Sequence, residues 1–173
     1  MLPSLTFVLG GAASGKSLVA ENIIYNSDLQ LVYVATSRIF DDEMQTKINT
    51  HIARRDARWT TISVEKDIPE VLVKLTNNQA VLIDCVTMWL TNIILDGDDV
   101  DLAQSNFLRA LTASSASLVV VSNEVGQGIV PDNALSRQFR EAQGRLNIAL
   151  AARADCVIHV VAGLSHVLKG PNQ

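Results

Sequence analysis

The stretch Gly10-Gly11-Ala12-Ala13-Ser14-Gly15-Lys16-Ser17 matches the pattern G-x-x-x-x-G-K-[ST] and decides the fold that we expect. An apolar run at residues 5–9 precedes it, and a helix-forming sequence follows it. Glycines allow such a loop to curl so that successive backbone N–H groups point at the phosphates of a nucleotide. The sequence therefore predicts a phosphate-binding loop between a first strand and a first helix.

Individual residues of this loop have distinct predicted roles. Lys16 supplies a positive charge for the β- and γ-phosphates, which makes it a candidate catalytic residue, and the Ser17 hydroxyl is a candidate ligand of Mg²⁺. The dipole of the following helix also favours an anion. A glycine-rich turn with a chance Lys-Ser pair is the alternative interpretation. The candidate nucleotide-binding residues are Gly10, Gly11, Ala12, Ala13, Ser14, Gly15, Lys16 and Ser17.

Short apolar runs alternate with longer amphipathic segments along the rest of the chain. Strands are predicted at 5–9, 31–35, 80–84, 118–122 and 156–161, with weaker strands at 59–64 and 164–168. Helices are predicted at 16–25, 41–55, 68–75, 86–95, 102–113 and 133–153. Continuous apolar strands separated by helices are typical of a parallel sheet covered on both faces. We expect one three-layer α/β domain over residues 1–173, with an antiparallel edge strand after Ala162-Gly163.

Composition limits the classes of partner. The chain has 173 residues, a net charge of −4 and a pI of about 5.3, so a nucleic-acid partner is not expected. No apolar run approaches the roughly 20 residues of a membrane span, and residues 1–4 lack the features of a signal peptide. The expected location is the cytoplasm. Cys85 and Cys156 are expected to be buried, reduced thiols.

Ligands of a doubly wound sheet bind beyond the carboxyl ends of its strands, where this chain has several polar residues. They are residues 36–38, Asp84 and residues 122–124. Asp84 ends an apolar strand. A carboxylate at this position in P-loop proteins holds Mg²⁺ directly or through water, so Asp84 is a candidate metal ligand. An aspartate that caps the next helix is the alternative. Residues 123–131 form either an active-site loop or a plain connection.

The predicted helix at 41–55 carries a basic row. Lys47, His51 and Arg55 follow one another at intervals of four residues and therefore share one helix face. The neighbouring cations disfavour the imidazolium form of the histidine. A neutral His51 among phosphate-binding groups is a candidate nucleophile or ligand, and a solvated histidine on a polar face is the alternative.

Motifs along most of the chain resemble those of one family. In order, they are G-G-A-x-S-G-K-S, V-A-T-S with D-D-E-M and I-x-x-H-x-x-R, V-L-I-D-C with T-x-W-L-T-N, and N-E-V-G-x-G-I-V-P-x-N with R-x-F-R-x-x-x-G-R-L-N. From Gly10 to about Lys169, the chain resembles the bifunctional adenosylcobinamide kinase/adenosylcobinamide-phosphate guanylyltransferases. This resemblance implies a RecA-like P-loop fold and a homotrimer.

The resemblance also implies two steps in the assembly of adenosylcobalamin (vitamin B12). ATP or GTP phosphorylates the corrinoid adenosylcobinamide, and GMP from GTP is then transferred to that phosphate with release of pyrophosphate. His51 matches the family's histidine, which carries GMP as a phosphoramidate. Further nucleotide contacts are implied at Ala35, Thr36, Ser37, Ile52, Ala53, Arg54, Arg55 and Asp84.

Two positions depart from the family pattern. Ala13 stands where the family usually has arginine, and Ser63 stands where a nucleotide-contacting glutamate is expected. A monofunctional P-loop kinase is one alternative function, but it leaves His51 and residues 123–131 unexplained. A GTP-binding switch is another, but the chain lacks the guanine-reading string N-K-x-D. A RecA-like motor is a further alternative by fold, but the acidic composition does not favour binding to nucleic acid.

Overall fold

The computed structural model describes residues 2–38 and 55–170, in which seven strands form one mixed sheet. The strands are β1 (Leu5–Gly10), β2 (Gln30–Ala35), β3 (Trp59–Ser63), β4 (Gln79–Asp84), β5 (Ser117–Asn123), β6 (Cys156–Val161) and β7 (Leu164–Lys169). The helices of this part of the chain are α1 (Lys16–Tyr25), α2 (Ile68–Leu72), α3 (Val86–Leu95), α4 (Val100–Ala113) and α5 (Ala134–Arg153). The predicted helix at 41–55 lies outside the described residues except for Arg55.

The strand order is β3-β2-β4-β5-β1-β6-β7, and every neighbouring pair is parallel except β6 and β7. Ala162 and Gly163 form the two-residue turn between β6 and β7, with φ angles of 51° and 79°. Positive φ at both positions is typical of a tight hairpin turn. The predicted α/β fold with an antiparallel edge strand is confirmed.

Strand β5 lies between the two strands that carry the main candidate site residues. Gly10, at the end of β1, is in register with Asn123 at the end of β5. On the other side of β5, Asp84 at the end of β4 is in register with Val121. The phosphate loop and Asp84 are therefore separated by the width of a single strand, at the same edge of the sheet.

Each face of the sheet is covered by helices, as a three-layer fold requires. On one face, Phe7 and Val120 pack with Trp89, Phe107 and Leu146 of α3, α4 and α5. The Trp89 and Phe107 rings are 5.0 Å apart between centroids. On the other face, α1 packs Ala20 and Ile24 against the strands. No helix in the described ranges is both long and apolar enough to cross a membrane.

Element ends differ from the predictions by a few residues because local hydrogen bonds decide them. Helix α4 begins at Val100, two residues before the predicted start, because the Asp99 side chain caps it by accepting from Leu102 N. Helix α5 begins at Ala134, with Asn133 as its N-cap residue. Helix α2 ends at Leu72 rather than at residue 75.

Two leucines of α4 offer a matched test of this core. Leu111 is 4% exposed and Leu102 is 58% exposed. We expect Leu111→Ala to lower the free energy of unfolding by about 2–5 kcal/mol, because it removes buried methyl groups and leaves a cavity. Leu102→Ala is expected to change it by less than about 0.5 kcal/mol. Urea unfolding of both variants measures the difference, and equal losses would contradict the burial of this helix face.

Candidate nucleotide-binding site

The phosphate loop connects β1 to α1 and is packed against the hairpin of β6 and β7. A Cβ atom at Gly10 would lie 2.5 Å from Ser14 Oγ and 2.6 Å from the Val160 carbonyl oxygen. Gly15 has a φ of 92°, and a Cβ atom there would lie 3.2 Å from Gly163 Cα. Gly163 N also donates to Ser14 O at 2.8 Å. Space therefore requires glycine at position 10, whereas at position 15 the left-handed backbone conformation favours glycine and the contact with Gly163 is tight.

The loop contains a buried ammonium without a counter-charge and a buried hydroxyl without a hydrogen-bond partner in the described ranges, and a bound phosphate would supply both. Lys16 is 9% exposed, and its Nζ donates to Gly11 O at 3.1 Å. Within the described part of the chain, this ammonium forms no ion pair. Ser14 Oγ is buried and finds no partner among the described residues. A buried cation needs a counter-charge, and the first turn of α1 contains no acidic residue that would repel an anion.

Ser17 and Asp84 provide the oxygens that a nucleotide-bound Mg²⁺ prefers. Ser17 lies in the first turn of α1, and Asp84 lies at the carboxyl end of β4. Among the described residues, no three His, Cys, Asp or Glu side chains form a group that could hold a metal ion alone. Mg²⁺ bound with a nucleotide needs only one or two protein ligands, because phosphates and water complete its octahedron. The N-cap residue of α3 is Cys85 rather than Asp84.

Tyr33 connects Asp84 with Arg55. Its hydroxyl donates to Asp84 Oδ2 at 3.2 Å, and the guanidinium carbon of Arg55 lies 3.5 Å from the centroid of its ring. Burial and the Asp84 carboxylate raise the pKa of Tyr33 well above its usual value, so the phenol remains a donor. Arg55 directly follows the segment 39–54. Its guanidinium lies on the ring of the buried Tyr33, whose hydroxyl binds Asp84.

Hydrogen bonds connect the segments that follow β2, β3 and β4. The Thr36 hydroxyl donates to Cys85 O at 2.7 Å and accepts from Cys85 N at 3.0 Å. Asn92 Nδ2 donates to Thr36 O at 2.9 Å and to Glu65 O at 3.0 Å. Burial raises the pKa of the Cys85 thiol to about 11, so it is not a thiolate at neutral pH. Cys85 is buried as predicted, whereas Cys156 is only half-buried.

A cluster of ion pairs lies where β2 leads into the segment 39–54. Arg38 donates to Glu65 at 2.7 Å and to both carboxylate oxygens of Asp96 at 2.9 and 3.0 Å. Lys66 lies 2.8 Å from Asp96 and 2.8 Å from Asp98. Hydrogen bonds from Arg38 and Lys66 hold the pKa of Asp96 below its usual range. Sequence analysis indicated Arg38 as a polar residue after β2, but nothing in the sequence indicated its partners.

Two arginines of α5 hold the loop that follows β5. Arg140 donates to the carbonyl oxygens of Ile129, at 3.1 Å, and Gly126. Arg137 donates to the Pro131 carbonyl oxygen at 3.0 Å. Sequence analysis did not predict this role, although a spacing of three residues places both arginines on one helix face. The arginines therefore hold the loop through its backbone carbonyl groups, whereas the Ile129 side chain is 96% exposed.

A buried polar network supports the end of β5. Ser122 Oγ donates to Asn147 Oδ1 at 2.6 Å, and Gln143 Nε2 donates to both of these oxygens, at 2.9 and 3.1 Å. Asn147 Nδ2 donates to the Asn123 carbonyl oxygen at 3.2 Å. Asn123 N donates to Thr87 Oγ1 at 2.8 Å. Sequence analysis indicated the end of β5 as a ligand edge but missed these three side chains of α3 and α5.

The other predicted site residues fall into two groups. Ala35 is in register with Asp84, and the half-buried Ser37 follows shortly after, so the residues after β2 lie beside the carboxylate. His51 and the next three residues of the segment are not among the described residues, so their roles stay predictions. They are His51, Ile52, Ala53 and Arg54.

The fold and the loop define a P-loop nucleotide-binding protein. One solved structure with this fold is an ATPase from the type III secretion system of pathogenic bacteria, with a TM-score of 0.61 and 12% identity, over 96% of this chain and 57% of that one. Another is a protein of Pyrococcus horikoshii OT3, with a TM-score of 0.58 and 12% identity, over 99% of this chain and 89% of that one. At such low identity, these similarities show the fold alone.

The family is shown by sequence. Residues 6–168 match the model of the family described as cobinamide kinase / cobinamide phosphate guanyltransferase, and the chain belongs to this family. It is 39% identical to the bifunctional adenosylcobalamin biosynthesis protein CobP of Pseudomonas aeruginosa over 166 residues, which is 94% of this chain and 96% of that protein. It is 38% identical to the bifunctional adenosylcobalamin biosynthesis protein CobU of Escherichia coli over 181 residues, covering 95% and 99% of the two chains. The predicted resemblance and enzyme class are confirmed.

Adjacent glycines of the loop provide a matched test of its packing. A Cβ atom at Gly10 would meet the backbone of β6, whereas one at Gly11 would meet nothing within 4 Å. We expect Gly10→Ala to lower the free energy of unfolding by about 1–3 kcal/mol and to weaken ATP binding, because the loop must move away from β6. Gly11→Ala is expected to change stability by less than about 0.5 kcal/mol. Urea unfolding and calorimetric titration with ATP measure both effects, and indistinguishable variants would refute the close approach.

Proposed function

We propose that this protein phosphorylates adenosylcobinamide with ATP or GTP and then transfers GMP from GTP to the product, giving adenosylcobinamide-GDP and pyrophosphate. The observation that carries the proposal is the family match over residues 6–168. Both steps consume a nucleoside triphosphate, and the loop with its buried Lys16 suits the phosphates that both steps require. The two steps belong to the biosynthesis of adenosylcobalamin.

The kinase step relies on positioning and charge. Backbone N–H groups of the loop and the Lys16 ammonium hold the β- and γ-phosphates, while a hydroxyl of adenosylcobinamide attacks the γ-phosphorus. Ser17 and Asp84 are the residues that would hold Mg²⁺, which neutralises charge on the phosphates when it is bound. Tyr33 fixes the Asp84 carboxylate through its hydroxyl, so this ligand is oriented before the nucleotide arrives.

The guanylyl step uses His51 as a nucleophile. Its imidazole attacks the α-phosphorus of GTP and displaces pyrophosphate, and the phosphate of adenosylcobinamide phosphate then displaces the histidine. Support comes from the motif I-x-x-H-x-x-R and from Arg55, which is held near Asp84 by the Tyr33 ring. Four residues span at most about 14 Å, so the chain keeps His51 within reach of this edge of the sheet. Nucleotide contacts are also proposed for Ala35, Ser37, Ile52, Ala53 and Arg54.

A monofunctional kinase is the second candidate, and the test must separate it from the bifunctional enzyme. With GTP radioactive at the α-phosphate, the wild-type protein is expected to form an acid-labile GMP adduct that His51→Ala lacks. His51→Ala is expected to keep part of its kinase activity, since that step needs only the loop and Mg²⁺. Lys16→Ala is the matched control. It is expected to weaken both activities by about 10- to 150-fold, because a charge-assisted phosphate contact contributes roughly 1.5–3 kcal/mol to binding.

Other outcomes of this labelling experiment would contradict the assignment. An adduct that persists in His51→Ala would mean that another side chain is the nucleophile. Loss of both activities in a folded His51→Ala would mean that the histidine shapes a shared nucleotide site. Kinase activity without any labelling of the wild-type protein would favour the monofunctional enzyme.

We also propose that the chain acts in the cytoplasm as a single-domain homotrimer. Its edge strand β7 supports assembly, because every residue of the strand is exposed, including Leu164 at 75%, Val167 at 43% and Leu168 at 51%. An exposed edge strand is a template for pairing with another chain, and exposed apolar patches often mark interaction sites. Light scattering at micromolar concentration is expected to give three times the chain mass of 18.7 kDa. A mass equal to that of one chain would contradict the homotrimer.

A further inference from the structure

The last residues of β1, β4 and β5 belong to the same face of the sheet. Side chains alternate between faces along a strand, so position 123 shares the face of Val119 and Val121. Both valines belong to the core that α1 covers, whereas Leu118 and Val120 belong to the core on the opposite face. Asn123 therefore faces the side of the sheet on which the phosphate loop leads into α1.

The same alternation places Asp84 on this face, because Leu82 of β4 also belongs to the core under α1. Gly10 and Asn123 are in register, and β5 separates β1 from β4. The Asn123 carboxamide thus lies between the phosphate loop and Asp84. Because ligands of such a sheet bind beyond the carboxyl ends of its strands, a triphosphate held by the loop would lie beside this carboxamide.

The backbone of Asn123 is held from both sides, but its side-chain oxygen is not. Asn123 N donates to Thr87 Oγ1 at 2.8 Å, and its carbonyl oxygen accepts from Asn147 Nδ2 at 3.2 Å. Asn123 Oδ1 is buried and has no hydrogen-bond partner among the described residues. Buried polar atoms without partners are rare in folded proteins, and each of them calls for an explanation. Within residues 2–38 and 55–170, this oxygen lacks a donor at the edge of the sheet where the phosphate loop and Asp84 lie.

We propose that Asn123 is a catalytic residue of the kinase step and that its Oδ1 accepts a hydrogen bond from the attacking hydroxyl of the substrate. A carboxamide oxygen only accepts, so a deprotonated phosphate oxygen cannot satisfy it, whereas a hydroxyl can. Lys16 is directed to Gly11 O instead. The inference rests on the proposed kinase function and names a further residue for it.

The chemical step leaves the carboxamide unchanged. The hydroxyl oxygen forms a bond to the γ-phosphorus, and the bond from that phosphorus to the bridging oxygen breaks, with its electron pair leaving on the nucleoside diphosphate. The hydroxyl proton passes to an oxygen of the transferred phosphate or to water, because a neutral amide is not a base at neutral pH. Asn123 acts by aligning the hydroxyl with the phosphorus, and such alignment can change a rate by about 100-fold.

The guanylyl step supplies a contrast within the same protein. Its first displacement has an imidazole as the nucleophile and no attacking hydroxyl. Loss of Asn123 should therefore slow phosphorylation of adenosylcobinamide and leave formation of the GMP adduct at its wild-type level. A purely structural role would lower both activities together.

The test compares Asn123→Ala with Asn22→Ala, which changes an exposed asparagine on α1. Asn123→Ala is expected to reduce kcat for phosphorylation by about 100-fold, with little change in the KM for ATP, in the pH profile or in GMP labelling. Asn22→Ala is expected to match the wild-type protein in every assay. Should Asn123→Ala fail to fold, Asn123→Ser keeps a polar group in the buried space but cannot reach the hydroxyl. The same selective loss is expected from it.

Several results would overturn the proposal. An unchanged kcat would mean that Asn123 does not contact the attacking group. A raised KM for ATP with an unchanged kcat would mean that it binds the nucleotide instead. Recovery of activity at high Mg²⁺ concentration would assign the oxygen to metal-bound water. A wild-type protein without kinase activity would remove the proposed function itself, a result distinct from failure of the Asn123 variants alone.

Discussion

At the end of β1 there is no space for a side chain, because Ser14 Oγ and the Val160 carbonyl oxygen lie where a Cβ atom at Gly10 would be. This close packing holds the start of the phosphate loop against β6. The contact depends on the pairing of β6 with β1. The turn between β6 and β7 also holds the loop, because Gly163 N donates to Ser14 O. A loop fixed in this way keeps its N–H groups oriented before a phosphate binds, which reduces the entropy lost on binding.

The rest of the site follows from side-chain alternation on parallel strands. Because β2, β4, β5 and β1 run in the same direction, their last residues meet at one edge of the sheet. Tyr33, Asp84, Asn123 and Gly10 all belong to the face that α1 covers, whereas residues one position away enter the opposite core. A one-residue change in the register of β5 would replace Asn123 at this face by a neighbour. The core packing of β5 therefore also specifies the site.

Local features of the fold could be predicted from sequence, whereas the spatial order of its strands could not. Each strand is an apolar run and the phosphate loop is a contiguous motif, so both are visible in the chain itself. That β5 lies between β1 and β4 is a long-range fact, and the place of Asn123 depends on it. The contacts of Tyr33 with Asp84 and Arg55 are also long-range and leave no signal in local spacing. The motif and the basic row of His51 indicate it as a candidate nucleophile, and both its role and its place in the fold stay predictions.

The ion pairs of Arg38 bear on the departure at Ser63. In the family pattern, position 63 carries a glutamate, and Glu65 is the next acidic residue along the chain. Glu65 is already bonded to Arg38 at 2.7 Å, and its backbone is held by Asn92. Releasing its carboxylate toward a nucleotide would leave Arg38 with Asp96 alone. In this structure the Glu65 carboxylate is therefore engaged with Arg38, at the entry to the segment 39–54, in place of a contact with nucleotide.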